Sequence, residues 1–237
     1  MRMGLFGGDT ALGPVDAIVD KAKGAREDGF ASFWMPHIVG IDALTALAVV
    51  GREVPDLELG TAVVAIYTHH PTAMAQQALT VNEIADGRLA LGIGLSHRVV
   101  IEGMLRMSFE KPVRHLREYL SILMPLVHEG AVEFDGEVFS AHYTVNVRDR
   151  RPCPVLVAAL GSQMLGVTGA MADGTITWMV GVQTLQSHIV PTITAAAERA
   201  DRPAPRVVAA LPVYVTDDPG AARERAARTF AMYNGLP

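Results

Sequence analysis

The chain carries one cysteine, Cys153, in 237 residues, which excludes an intramolecular disulfide framework and a cysteine-rich zinc site. Aromatic residues make up only 6% and charged residues 19%. Neither sign of charge dominates: 20 Lys and Arg face 25 Asp and Glu, for a net charge of −5. No basic field draws such a chain to nucleic acid or to an anionic membrane, so neither partner is expected. No apolar run approaches the roughly 20 residues that cross a bilayer. Met3-Gly4-Leu5-Phe6-Gly7 begins the chain without a basic leader or apolar h-region, so no secretion signal and a cytoplasmic location are expected. A Walker loop, a serine nucleophile elbow, a His-Glu-x-x-His pair and paired carboxylates are missing too. What is present is apolar mass, 50% of the residues, enough for a substantial core.

Short apolar runs alternate with segments of helical period, and Asp-Gly pairs mark the junctions. Asp28-Gly29 precedes Phe30–Trp34, Asp86-Gly87 precedes Arg88–Gly92, and Asp173-Gly174 precedes Thr175–Trp178. A glycine past a helix end takes the left-handed conformation and hands the chain to a strand. Seven strands follow from this reading, at 2–6, 30–35, 57–64, 88–94, 154–159, 174–179 and 206–215. Most are continuously apolar, as expected of parallel strands covered on both faces. Helical patterns run from Val15 to Arg26, Pro71 to Ala85, Lys111 to His128 and Gly220 to Tyr233. Residues 130–152, with Asp135-Gly136, read as a hairpin insertion. No linker divides the chain, so one domain over 1–237 is expected. Successive β-α units leave a doubly wound sheet or a (β/α) barrel, and either gathers its chemistry at the carboxyl ends of the strands.

The first strand ends in Gly7-Gly8, a turn or a close backbone approach. The second ends in Met35-Pro36-His37, a histidine placed to bond a ligand, a loop or a proton. Gly60 inside the third strand marks a bulge or a close approach. His69 and His70 after that strand lack a partner at helical spacing; capping or a place in a site loop is expected, and no metal. The fourth strand ends in Gly92-Ile93-Gly94-Leu95-Ser96-His97. The third glycine of a dinucleotide fingerprint is absent there, which leaves a strip of bare backbone on which a flat ring can lie. Ala159-Leu160-Gly161-Ser162-Gln163 leads from a strand into a helix start, an ordinary cap or an anion site. Trp178 closes the sixth strand, as packing or as a pocket wall. Carboxylates are scarce at these ends, which favours a bound cofactor for the difficult chemistry.

Several of these segments together resemble the bacterial luciferase-like monooxygenase superfamily. They are Gly60-Thr61-Ala62-Val63, His70-Pro71 with Gln76-Gln77-Ala78-Leu79-Thr80, and Asp86-Gly87-Arg88-Leu89-x-Leu91-Gly92-Ile93-Gly94. Pro112 with Arg117-Glu118-Tyr119-Leu120, Pro154–Gly161 and Ala172-Asp173-Gly174-x-x-x-Trp178 are similar to its actinobacterial F420-dependent oxidoreductases. The resemblance implies an α/β TIM-type (β/α)8 barrel with coenzyme F420, or alternatively FMN, at its carboxyl face. It implies a non-prolyl cis peptide among Gly60, Thr61, Ala62 and Val63, with Gly92, Gly94 and Ser96 beside the ring. Ala159, Leu160, Gly161, Ser162 and Gln163 would receive the cofactor's phosphate, and Trp178 would wall the pocket. His37 would face the ring. Leu95 stands where the sugar-phosphate dehydrogenases of this group carry a glutamate, so His37, His97 or water is left as the proton donor.

Three functions follow. The first is hydride transfer between F420, which has carbon in place of flavin N5, and a small organic substrate. The second is an FMN-dependent monooxygenase, and the third a non-catalytic flavin-binding subunit. The 17 Arg against 3 Lys accord with a GC-rich genome. Members of the family dimerise, and the sequence permits a homodimer. A barrel takes eight β-α units and about 250 residues; only seven fit here, so an eighth unit is expected to be missing after Asn234-Gly235-Leu236-Pro237.

Overall fold

A computed structural model describes residues 2–8 and 11–233. The elements, in order, are β1 (Gly4–Phe6), α1 (Val15–Glu27), β2 (Ser32–Met35), α2 (Ala43–Glu53), β3 (Glu58–Thr61), β4 (Val64–Ala65), α3 (Pro71–Ile84), β5 (Leu89–Gly94), α4 (Pro112–His128), β6 (Ala131–Asp135), β7 (Ser140–Thr144), β8 (Val155–Val157), α5 (Ser162–Met171), β9 (Gly174–Trp178), α6 (Val182–Thr184), α7 (Val190–Arg199), β10 (Arg206–Ala210) and α8 (Pro219–Tyr233). The parallel sheet runs β1-β2-β3-β5-β8-β9-β10, and β4 continues the line of β3 against β5. Among the described residues the path ends at β1 and β10, which do not pair with each other. Asn234–Pro237, where the chain was expected to stop short of an eighth unit, lie outside the described residues. No described helix is long and apolar enough to cross a membrane.

The continuous apolar runs resolve into two packing layers. Phe33 and Met35 of β2, Leu89, Leu91 and Ile93 of β5, and Val155 and Val157 of β8 point outward into the layer beneath the helices. Trp34, Ala90, Leu156 and Ile176 point inward and form a separate, much smaller cluster. Period-two alternation with both faces covered is what makes these strands look uniformly apolar in sequence.

The junction glycines behave as read at two of three places. Gly29 and Gly87 have φ of +81°, and the Gly87 N–H donates to the Asn82 carbonyl at 2.7 Å. Gly174 instead opens β9, where a Cβ would sit 2.0 Å from the Arg206 carbonyl oxygen. That glycine serves a close approach of β10, not a helix cap.

Two strand boundaries also move. The run 206–215 pairs only as far as Ala210, opposite Trp178 at the end of β9; with no strand partner beyond it among the described residues, Val213 and Val215 lie exposed. The run 57–64 is interrupted. Gly60 pairs with Ala90 and Val64 with Ile93, so β3 and β4 spend one more residue than β5, which defines a bulge. The insertion forms the β6–β7 hairpin, with Asp135 opposite Ser140. The buried Glu118 of α4 accepts through its carboxylate from the Val138 and Phe139 amides at 2.7 and 3.1 Å and so holds the hairpin tip.

Candidate functional site

At the bulge the backbone leaves the ladder and a side chain takes its place. Thr61 is fully buried. Its hydroxyl donates to the Gly92 carbonyl at 2.7 Å and accepts from the Gly92 N–H at 2.8 Å. One threonine thus satisfies both backbone groups that the displaced strand abandons. The next peptide, Ala62–Val63, is cis, within the segment where the resemblance places one. Gly92 and Gly94 face it. A Cβ on Gly92 would meet the Thr61 carbonyl oxygen at 1.9 Å, and one on Gly94 would meet Val63 Cγ2 at 2.8 Å. Only glycine leaves the strip flat.

His37 follows β2 and is half-buried. Its Nδ1 lies 3.4 Å from both the Ala43 nitrogen and Asp42 Oδ2. Its ring meets that of His69 edge-on, with centroids 5.6 Å apart. Burial pushes the His37 imidazole below its ordinary 6.5; Asp42 opposes that shift and His69 adds to it. Burial acts to raise the Asp42 carboxyl, but hydrogen bonds from Thr45 and the two imidazoles outweigh it and hold the group below the usual carboxylate range. Asp42 also caps α2 by accepting from the Thr45 N–H at 2.7 Å. His69 Nδ1 lies 3.1 Å from the Ala65 carbonyl oxygen and 2.9 Å from Thr68 Oγ1. A donor atom from each of His37, Asp42 and His69 lies within 4.8 Å of the others, a grouping that also suits a divalent cation.

Around this cluster the loops after the strands expose apolar side chains. Ile38 and Val39 after β2 are 76% and 77% exposed, Leu160 after β8 55%, and Val182 after β9 61%. Inside that rim lie Ala62, Val63 and Ala158, packed on the inner cluster. Ser96 and Met179, at the ends of β5 and β9, hold φ of +63° and +56°, conformations that non-glycine residues adopt at a cost and that concentrate at ligand sites.

The residue order along the chain matches the luciferase-like monooxygenase family profile over residues 3–236. The chain belongs to the luciferase-like monooxygenase family. It is 29% identical over 155 residues to a 5,10-methylenetetrahydromethanopterin reductase of Archaeoglobus fulgidus, covering 65% of this chain and 46% of the relative. It is 26% identical over 217 residues to an F420-dependent glucose-6-phosphate dehydrogenase of Amycolatopsis mediterranei, covering 85% and 65%. The chain therefore spans about half of the first relative and just under two thirds of the second. The solved monooxygenase RslO1 from Streptomyces bottropensis shares the fold at a TM-score of 0.80, with 18% identity over 99% of this chain and 78% of that one.

In this luciferase-like chain the structure sorts the residues singled out from sequence. Gly60, Thr61, Ala62, Val63, Gly92 and Gly94 come together at the bulge, although Gly60 itself faces Trp34, whose ring a Cβ would strike at 2.2 Å. Ala159 is buried, while Leu160, Gly161, Ser162 and Gln163 form the exposed entry to α5. Gly161 caps that helix with no side-chain hydrogen bond, which leaves its first amides open. Trp178 packs at a tilt against Phe6 with centroids 5.2 Å apart, and its buried Nε1 has no hydrogen-bond partner among the described residues. His97 is exposed and starts the turn after β5. Leu95, at the position of the expected glutamate, is buried in the outer layer. Asp42 and His69 were not anticipated as partners of His37. Asp42, three residues before Thr45, reads as a helix cap, and only the loop after β2 brings it back to the imidazole.

Proposed function

We propose that this barrel is an oxidoreductase that binds coenzyme F420 across its carboxyl mouth and exchanges hydride between the deazaflavin and a small organic substrate. The observation that carries the reading is one mouth holding three things. These are a backbone floor at Gly92 and Gly94, an exposed apolar rim, and a half-buried histidine kept neutral beside a carboxylate. The flat floor and apolar rim fit a planar tricyclic ring, and such a ring would cover side chains that otherwise stand in water. When bound, the deazaflavin supplies a ring carbon that accepts or donates hydride.

The protein's own groups supply the rest. Ile38, Val39, Leu160 and Val182 exclude water from the ring and substrate. The open amides of Gly161, Ser162 and Gln163, at the start of α5, hold the phosphate. His37 exchanges the substrate's proton through Nε2. For that, Nδ1 keeps its hydrogen in both charge states and points it at the Asp42 carboxylate, 3.4 Å away, so that Nε2 alone gains and loses the proton. Asp42 and His69 are positioning residues that fix the plane and tautomer of His37. The exposed His97 side chain makes no hydrogen bond among the described residues and has no such support.

The family's name and the fold shared with the Streptomyces monooxygenase favour FMN as the second reading. Titrating the 237-residue chain with coenzyme F420 and with FMN, and following fluorescence quenching, separates the two. Saturable quenching of F420 is expected, followed by its oxidation or reduction with members of an acceptor panel. Tight FMN binding with no response to F420 would overturn the proposal in favour of the monooxygenase. F420 binding without turnover of any acceptor would leave a non-catalytic subunit.

A further inference from the structure

Three side chains from two loops meet at the carboxyl mouth. His37 and Asp42 come from the loop after β2 and His69 from the turn before α3, so the partners that His69 lacks at helical spacing are supplied by another part of the chain. One donor atom from each lies within 4.8 Å of the others, and among the described residues no other three His, Cys, Asp or Glu side chains converge in this way. His37 Nδ1 and Asp42 Oδ2 stand 3.4 Å apart. That is longer than an ordinary hydrogen bond. It matches the edge, about 3.3–3.4 Å, of a tetrahedron whose nitrogen and oxygen ligands lie roughly 2.0–2.1 Å from a central cation. The lone pairs are also in order. A carbonyl oxygen only accepts, so the contact of His69 Nδ1 with the Ala65 carbonyl at 3.1 Å places the neutral ring's hydrogen on Nδ1 and its lone pair on Nε2. A backbone carbonyl on the far nitrogen is the support that metal-bound imidazoles use. Asp42 Oδ1 is taken by the Thr45 amide at 2.7 Å, which leaves Oδ2 as the ligand atom.

We propose that His37, Asp42 and His69 bind a divalent transition cation of the zinc class, with a fourth position open, and that the bound cation withdraws His37 from proton exchange. The donor set fixes the class. Two imidazoles and one carboxylate suit zinc, and cobalt in its place, whereas magnesium and calcium take oxygen ligands. Three protein ligands with one open position also separate the group from a closed structural site. The His37 and Asp42 side chains are 19% and 39% exposed, so water or an anion reaches that position. The withdrawal of His37 rests on the proton-transfer role assigned to it above; the binding does not. With the cation on Nδ1, the neutral ring's one hydrogen passes through water to Nε2. Nε2 then has no lone pair left to accept a proton. The occupied site is an inhibited enzyme, and removing the cation restores it.

The test titrates the tag-free 237-residue protein, without cofactor, with zinc by calorimetry and with cobalt by visible absorption. One equivalent is expected to bind, with the intense bands of four-coordinate cobalt, which zinc abolishes and excess magnesium does not. Asp42→Asn keeps a residue that caps α2 but removes the charged ligand, and His69→Ala removes an imidazole. Loss of groups that merely orient a ligand costs about 10- to 100-fold in affinity, so each of these variants is expected to lose at least about 100-fold. His142→Asn breaks the exposed His142–Asp135 pair on the hairpin and should leave the affinity unchanged. Absence of a bound equivalent, or native affinity in both Asp42→Asn and His69→Ala, or loss of binding in His142→Asn, would overturn the site. Where the protein turns over F420 with an acceptor, one equivalent of zinc should lower the rate by about 10²-fold or more, and a chelator should restore it. Zinc bound as described with turnover untouched would overturn the role of His37 in proton transfer while the cation site stands, so the two failures are distinguishable.

Discussion

At the amino ends of the strands charged side chains are spent on structure, whereas at the carboxyl ends apolar and imidazole side chains are left facing outward. Glu58 and Arg206, the first residues of β3 and β10, meet in a two-pronged ion pair at 2.5 and 3.0 Å that ties distant strands together. Arg88, just before β5, donates to the carbonyls of Gly51, Val54 and Leu57 at 2.6 to 3.0 Å. Asp173, just before β9, accepts from the Val155 amide and from Arg202. None of these groups has spare capacity to bind a small molecule. The other end holds the apolar rim and the half-buried His37. One end of the same barrel has been optimised for holding and the other has been left unfinished, and a ligand supplies what is lacking there.

Substitutions at the two ends should therefore separate activity from stability. His37→Asn is expected to lower turnover by about 10²- to 10⁴-fold, the usual worth of a positioned proton-transfer group. Cofactor quenching should survive, and the melting temperature should move little because His37 is only half-buried. Loss of folding in this variant would erase the contrast. Arg88→Ala at the opposite end should do the reverse, costing about 2 kcal/mol as three backbone carbonyls lose a charged donor. Each kcal/mol lowers the melting temperature by about 2–4 °C in a chain of this size; cofactor affinity is expected to hold.

Thr61→Val tests the seam between the two ends. It keeps the shape but strands the N–H and carbonyl of Gly92, for about 1–2 kcal/mol, and because Gly92 floors the mouth, cofactor affinity should fall as well. A variant losing stability alone would show that the bulge only serves the fold.

The smallest effect expected is a pH dependence of stability. Burial is the main cause that lowers the pKa of both His37 and His115. Each binds its proton more readily when the chain is unfolded, so stability rises with pH through the region around and below 6.5 and levels off above it. Asp42 and Asp173, held below the ordinary carboxylate range, extend the loss to lower pH, near and below 4. Denaturation midpoints between pH 7 and 5 should fall, and His115→Leu should flatten part of that slope. A midpoint independent of pH in this interval would contradict the burial of both imidazoles.

The layered barrel was legible because its signals are local. Gly29 and Gly87 mark helix ends, uniformly apolar runs mark strands covered twice, and Pro71 starts α3 as its missing N–H requires. The site was legible only in part. His69 and His70 are adjacent and look equivalent in sequence, yet the chain turns between them. His70 Nδ1 accepts from the Thr72 N–H and caps α3, while His69 faces His37. The bulge is another case. Gly60 hints at it, but the extra residue comes after Gly60, whose missing side chain makes room for Trp34. Register depends on where two strands separated by a helix come together, and no short window of sequence carries that.

The separation of the two packing layers has a consequence for how such a protein changes over time. Ala62, Ala158 and Val208 pack on the inner cluster and not on the layer under the helices. Exchanging one of them reshapes the chamber above the Gly92–Gly94 floor while the fold's main support is left alone. Lineages built on this barrel can drift from one substrate to another by a few inward substitutions, without first acquiring stabilising changes elsewhere.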